Sequence, residues 1–473
     1  MAYRRRKWRA GPGPCSDPAR GRRVRRTVLH GGALLFAALV TPPAAAQHIP
    51  SSSQGPWLNT LSYLQQQDWW DQSSRWGVND VLGQERAFNM QGGKKIGRFD
   101  FAPTLDTKLV YDDNIYNRTS NAKGDFYTEI APGLSVSTET ARHYFNITAG
   151  LRGYKYAKYD EFDALDRSIN ASAAFQVDSA HVIYGTIGHA LVNEDNLSYL
   201  FPDVEGDRQS NGRINAAQRT PVHNTIGEVG IRRDGGRLHG SLTARFGRRD
   251  FDDIELEDGS IADQDYRDVQ TVSGTARVGY RFSPGYELVT LASATRVDFL
   301  DSASDYADGW EYEVAAGLDF QTGPLLQWQI GGGYAYRTFD DPTYEPTGDY
   351  IARLKLQWSA TERLTLKAEA QRRLSFNTTE TGVEYQLSHS VGASADLELY
   401  RNLIFTINGQ YWDVVDERSS IKSNIYEAGV RLQYFSTQNW VASVGYDYVE
   451  RVSDSPDLDL KRSQFWGRVK IRF

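Results

Sequence analysis

The chain ends on SQFWGRVKIRF, Ser463 to Phe473, and the alternation within that stretch decides the fold. Phe465, Val469, Ile471 and Phe473 fall on one face with Gly467 between them, while Gln464, Trp466, Arg468, Lys470 and Arg472 fall on the other. Successive side chains of a strand point to opposite sides, so this is one apolar face and one wet, basic face. The apolar face needs a cover. The rest of the chain says which.

The same rhythm recurs from Phe99 onward. In GWEYEVAAGLDFQ, Trp310, Tyr312, Val314, Ala316, Leu318 and Phe320 oppose Glu311, Glu313, Asp319 and Gln321. In YIARLKLQW, Tyr350, Ala352, Leu354, Leu356 and Trp358 oppose Arg353, Lys355 and Gln357. In NIYEAGVRLQY, Tyr426, Ala428, Val430, Leu432 and Tyr434 oppose Glu427, Arg431 and Gln433. Aromatics bracket the apolar stripes, as an interfacial girdle would.

Short, turn-forming stretches near Thr140, Ser179, Gly235, Pro284, Gly323, Thr361, Arg401 and Thr437 alternate with long polar, Asp-rich connections. These follow Tyr111, Val192, Phe251, Leu300, Phe339 and Val452. A soluble sandwich has no reason to put all its short turns at one end of its strands. A transmembrane barrel does. Backbone amides in a bilayer must all be paired, so the sheet has to close, the last strand pairing with the first near PTLDTKLVY. The expectation is an all-β, transmembrane antiparallel β-barrel of about 18 strands (roughly 16–18), with both termini periplasmic. Lipid covers the apolar face of the terminal strand. A terminal Phe also matches the signal read by the barrel-assembly machinery, here Phe465, Val469, Ile471 and Phe473.

Composition agrees. Mean hydropathy is -0.54 and 40% of the 473 residues are hydrophobic, yet the chain holds 27 Tyr, 20 Phe and 11 Trp. A helical membrane protein would be more apolar, and a disordered chain would lack the aromatics. Half of each strand is polar because it lines a lumen.

Residues 1–46 read as a secretory signal peptide: an Arg-rich start, an apolar run from Val28 to Val40, and Ala44-Ala45-Ala46 before Gln47. Its removal takes ten of 53 basic and one of 60 acidic residues, leaving 43 against 59, a net charge of -16. The single cysteine, Cys15, leaves with it, so disulfides and thiolate metal sites are not expected. Residues 47–98 lack strand alternation and carry Trp57, Trp69, Trp70 and Trp76; they read as a plug, a periplasmic docking arm or a sugar-stacking entry. Residues 99–473 are the barrel.

Projecting the alternation inward gives a basic track of Arg152, Arg245, Arg277, Arg337, Arg353, Lys355, Arg373, Arg431, Arg468 and Lys470. It also gives acidic positions at Glu129, Glu311, Glu313, Asp319, Glu369, Asp396, Glu427 and Asp447. Such charges either pair along a solvated wall or form a track for a hydrophilic polymer, with Tyr154, Trp412 and Trp466 as inward stacking surfaces. Mixed signs argue against strong charge selectivity. The His residues are scattered, the Gly92–Gly97 stretch has no phosphate-loop spacing, and the acids from Asp250 to Asp258 do not follow EF-hand spacing. No catalytic residues, metal or cofactor are expected, and the chain reads as a non-enzyme.

KLVYDDNIY, in which Tyr111, Asp112, Asp113 and Asn114 end an alternating run, resembles the β-barrel porin type 2 family of outer-membrane proteins. The resemblance covers roughly Phe99 to Phe473 and includes the strand rhythm and the terminal Phe. Members are often associated with polysaccharide systems, so the resemblance implies the outer-membrane exit for an exopolysaccharide, passive and hydrated. A general diffusion porin and a plugged structural or surface-binding barrel are the alternatives. Expected partners are outer-membrane lipid and lipopolysaccharide, the barrel-assembly machinery, a polysaccharide substrate and a periplasmic polysaccharide-export protein, and no nucleic acid.

Overall fold

A computed structural model describes residue 81 and residues 93–473, apart from 141, 195–217, 234, 257–258, 303, 323–324, 380–381, 417–420 and 437–438. The signal-peptide reading and Trp57, Trp69, Trp70 and Trp76 lie outside the described residues. Alternating runs become long strands because β-branched and aromatic residues suit a pleated surface with one face covered. In chain order these are β1 Phe99–Asp112, β2 Asp125–Glu139, β3 His143–Tyr156, β4 Ala164–Gln176, β5 His181–Glu194 and β6 Thr220–Arg233. Then come β7 Leu238–Phe251, β8 Val269–Ser283, β9 Tyr286–Phe299, β10 Gly309–Thr322, β11 Leu326–Phe339 and β12 Thr347–Thr361. The last six are β13 Leu364–Thr379, β14 Gly382–Tyr400, β15 Leu403–Asp416, β16 Lys422–Phe435, β17 Trp440–Ser453 and β18 Leu460–Arg472.

Each strand pairs antiparallel with the next, and β1 pairs with β18 from Thr104–Arg472 to Asp112–Gln464. The barrel is therefore closed at 18 strands, and both ends of the barrel sheet lie at the short-turn rim. Burial is inside out. Ile187, Leu242 and Val314 are 60–65% exposed, while Asp112, Asp166, Arg152 and Gln329 are below 5%. Lipid in place of water makes that arrangement favourable, since the outer band is apolar.

Aromatic pairs ring both edges of that band. Phe320 stacks on Trp328 at 4.1 Å and Tyr434 meets Trp440 at 5.5 Å near the short turns. Tyr111–Phe126 and Tyr411–Tyr426 do the same near the opposite rim, at 4.8 and 5.2 Å.

The short turns are built by local chemistry. Gly285 takes φ +80 between Ser283 and Tyr286, and a Cβ there would sit 2.7 Å from the Gln321 carbonyl oxygen. At the β4–β5 turn, Asp178 accepts from the Ala180 and His181 amides and the His181 ring, which holds its carboxyl down at about 2.

Not every connection at the other rim is long. Only two residues separate β13 from β14, because those strands run on as an extended hairpin. Four of the loops share one device. A one-turn 3₁₀ segment (Asp160–Phe162, Asp265–Arg267, Asp305–Ala307, Pro456–Leu458) is followed by an aspartate. Asp163, Asp268, Asp308 and Asp459 each accept the backbone N–H at the end of the preceding strand, from Tyr156, Phe251, Phe299 and Ser453, at 2.6–2.8 Å. Each carboxylate thus satisfies an amide that has run out of ladder.

The family-like YDDN stretch closes the barrel. Asp112, fully buried, accepts from the Arg462 guanidinium and from Gln464 Nε2 on β18. The Asp113 amide donates to the Ser463 carbonyl, and Ser463 N–H donates back to Asp113 Oδ1. Asn114 Nδ2 donates to the Lys461 carbonyl. The first strand is stitched to the last at the rim where the loops begin.

Candidate functional site

The inner wall is the candidate site, and its chemistry follows from register. Inward residues of neighbouring strands face each other across the ladder, so opposite charges at matching heights form pairs. Glu129 on β2 lies opposite Lys108 on β1, Nζ to Oε1 4.0 Å. Arg245 donates to Glu228 through Nε at 2.9 Å, Arg353 to Glu369 at 2.7 Å, and Lys367 to Asp396 at 3.2 Å. Arg337 reaches Glu311 at 2.8 Å and the Ala307 carbonyl at 2.7 Å, so it also fastens a loop. Asp319 accepts from Gln329 Nε2 at 2.9 Å.

Glu287 is a hub for His239 (2.7 Å), Arg277 (3.4 Å) and Arg281 (3.4 Å). Glu194 holds Arg249 (2.9 Å) and, from the β7–β8 loop, Arg267 (3.1 Å). Partly open pairs such as Arg353–Glu369 are worth about 0–1 kcal/mol each, whereas the Glu287 and Glu194 hubs are buried, so losing one partner there would strand a charge. The main effect of the pairs is to spread both signs over a hydrated wall.

Every charged position projected inward from the sequence lies on an inward-pointing row of its strand. Arg152, Glu427, Asp447 and Asp396 are all under 9% exposed there. Glu313, Lys355, Arg373 and Arg431 sit on the same rows.

One of the aromatic positions, Trp412, is corrected. Trp412 is 4% exposed and packs into an apolar cluster with Val414, Ile425, Val449 and Leu460, so it offers no open stacking face. Tyr154 carries the Arg219 guanidinium 4.3 Å from its ring centre. Trp466 gives its N–H to Asp447 at 2.6 Å and takes Lys108 at 5.3 Å over its ring. Trp412 serves the wall itself, while Tyr154 and Trp466 are half-buried and each engaged by wall residues. Their direction is set by strand parity, but their occupation is set by neighbours on other strands.

Asp106, Glu228, Glu287 and Asp166 were missed as inward acids. The signal was present: Thr104, Asp106 and Lys108 alternate within PTLDTKLVY. A second miss concerns the segment before the barrel. Val81 lies inside the short-turn mouth, 1% exposed against Ile404, Phe435 and Val441, and its N–H donates to Thr365 Oγ1 at 3.0 Å. This is an apolar seat in an otherwise polar wall.

At the loop rim, Asp253, Asp263 and Asp265 bring carboxylate oxygens within 4.8 Å of one another, all exposed. Asp253 Oδ1 accepts from Gln264 N–H and Asp263 Oδ1 from Asp265 N–H, which accounts for the gathering without an ion. Nearby, burial pushes Asp268 up to about 6, aided by Asp250 and Asp265 and opposed by the Phe251 amide. Asp308 is raised by burial in the same way. Between the ordinary carboxylate range and about 6, the folded loop keeps a proton that the unfolded chain has lost. The stability of this loop therefore falls as pH rises through that window. Hydrogen exchange at the Phe251 amide is expected to quicken across it beyond the intrinsic base-catalysed rate. Asp268→Asn is expected to remove the excess; an unchanged slope in that variant would rule Asp268 out.

Residues 87–473 match the family described as Putative beta-barrel porin 2. The chain belongs to that family. This family member is an outer-membrane, porin-like β-barrel channel of the Gram-negative cell envelope. Among solved structures it is similar to Pseudomonas aeruginosa OccK1 (OpdK), at 12% identity and TM-score 0.45, covering 79% of this chain and 99% of that one. OpdK solved with vanillate gives 13% identity and TM-score 0.44, over 79% and 99%. The siderophore receptor PirA from Acinetobacter baumannii gives 7% identity and TM-score 0.43, over 80% and 81%. No curated protein matches the chain.

Proposed function

We propose that this barrel is a passive diffusion porin for small hydrophilic solutes. The observation that carries the reading is the inner wall, where acids and bases alternate and pair with each other across strands. Such a lining wets a pore without gripping one class of polymer, and an 18-strand barrel is wide enough for an aqueous channel. In this reading the short-turn rim faces the periplasm, following the general rule for bacterial barrels. Residues 1–46 direct export, the barrel-assembly machinery inserts the chain, and the protein has no enzymatic role.

Export of a polysaccharide has less support. The rings that would stack on sugars, Tyr154, Trp412 and Trp466, are covered or engaged by wall residues. Reconstitution in planar bilayers tests the porin reading. Stable single-channel steps, together with swelling of liposomes in small sugars, are the expected outcome. A barrel that inserts but never conducts would defeat it. Deleting the gene is expected to leave secreted polysaccharide unchanged, and a loss restored by complementation would move the conclusion to export.

A further inference from the structure

We propose that the lumen carries a binding subsite for small oxyanions, carboxylate or phosphate, centred on Lys470 at the closing seam. The inference rests on the channel reading and adds a solute class to it. Lys470 lies on the inner face of β18, three residues from the end of the chain, opposite Asp106 on β1 and Val441 on β17. Lys108, Arg245 and Arg337 each pair with the acid that faces them, Glu129, Glu228 and Glu311. Here the facing acid is already spent: Arg468 grips both oxygens of Asp106, with Nε to Oδ1 at 2.7 Å. Lys470 keeps only a through-space attraction to Asp106 and has the like charges of Arg468, Arg472 and Arg152 within electrostatic reach.

The remaining acids of this sector are committed as well. Glu129 lies with Lys108, Asp447 takes the Trp466 N–H, and Asp166 accepts from the Asn193 backbone and side chain. Among the described residues, no ion pair or hydrogen bond engages the Lys470 ammonium. Between Lys470 and Arg152 the intervening wall is low. Ala131 stands opposite Asp106, and Gly133 stands opposite both Thr104 and Gly150.

An ammonium beside guanidinium groups, with no counter-charge of its own, is the arrangement that a small oxyanion relieves. Its several acceptor oxygens match the donors of lysine and the fork of arginine. Paired charges over the rest of the lining would leave overall selectivity weak, so this subsite would set its sign. Its place near the short-turn rim puts it at one mouth of the pore.

The full-length barrel in planar bilayers under a potassium chloride gradient gives the anion-to-cation permeability ratio. Lys470→Gln is expected to lower that ratio about fivefold, since a unit charge about 4 Å from an ion acts with about 1 kcal/mol in water. Block of the chloride current by inorganic phosphate, and by acetate, is expected to weaken in the same variant and to persist in Lys470→Arg. An unchanged ratio and unchanged block in a normally conducting Lys470→Gln channel would overturn the subsite while leaving the channel reading intact. If the native barrel does not conduct, the channel reading fails, and calorimetric titration of phosphate into the detergent-solubilised barrel decides the subsite alone. Heat in the native protein that is absent in Lys470→Gln supports it, and no heat in the native protein refutes it. Should Lys470→Gln not fold, Lys470→Arg and Arg152→Gln carry the comparison: retained block in the first and weakened block in the second support the site, and equal block in both overturns it.

Discussion

Arg462→Ala is expected to destabilise the barrel by about 3–5 kcal/mol, the cost of removing one partner from a buried ion pair. Arg462 and Asp112 are 2% and 0% exposed through their side chains. Asp112 also accepts from Gln464 Nε2 at 2.7 Å and from the Asn114 amide at 2.9 Å, and Arg462 Nη1 donates to Asn117 Oδ1 at 3.1 Å. Without the guanidinium, a carboxylate remains buried at the one strand pair that holds the barrel shut. A concerted change is expected to behave differently. Arg462→Met with Asp112→Leu should recover much of the loss, because no unpaired charge is left behind. Urea unfolding of the barrel in liposomes, read from the gel mobility of folded and unfolded forms, gives both values. A loss below about 1 kcal/mol in the single variant, the range of a surface pair, would mean that water reaches Asp112 and the clasp is not buried.

Val314→Arg is expected to cost about 2–4 kcal/mol, the depth-dependent penalty for a cation facing lipid at the middle of a barrel wall. Val314 is 62% exposed near the centre of β10 and stands opposite Ala292 and Tyr334. Val452 lies on the same outer face but one residue from the loop end of β17. Val452→Arg is therefore expected to cost about 0–1 kcal/mol, since its charge reaches the interface. The same unfolding measurement in lipid separates the two. Equal penalties would mean that the apolar band does not end where the aromatic girdles place it. Loss of the difference on moving to detergent would tie the penalty to the bilayer.

The sequence by itself determined the wall. A period of two is a property of the strand backbone, so Phe465, Val469 and Ile471 had to oppose Arg468 and Lys470 wherever the strand lay. Closure followed from the same stretch, because unpaired amides cannot face lipid. The inward direction of Arg245, Glu311 and Asp396 was legible for that reason. The repeated loop aspartates Asp163, Asp268, Asp308 and Asp459 were also in plain view, but their meaning depended on knowing which strand had just ended.

Only the tertiary structure decided partners, because partners come from register between strands that the chain does not order by spacing. Asp106 and Lys470 are 364 residues apart in sequence and face each other across the pairing that joins the first strand to the last, yet Asp106 binds Arg468 instead. The face of Trp412 was known, but its closure by Val449 and Leu460 was not. Val81 belongs to a stretch without alternation, so nothing local pointed it into the barrel; a seat formed by Ile404, Phe435 and Val441 from three separate strands does. Parity is local and survives in one dimension. Pairing is cooperative across the whole sheet and exists only once the barrel has closed.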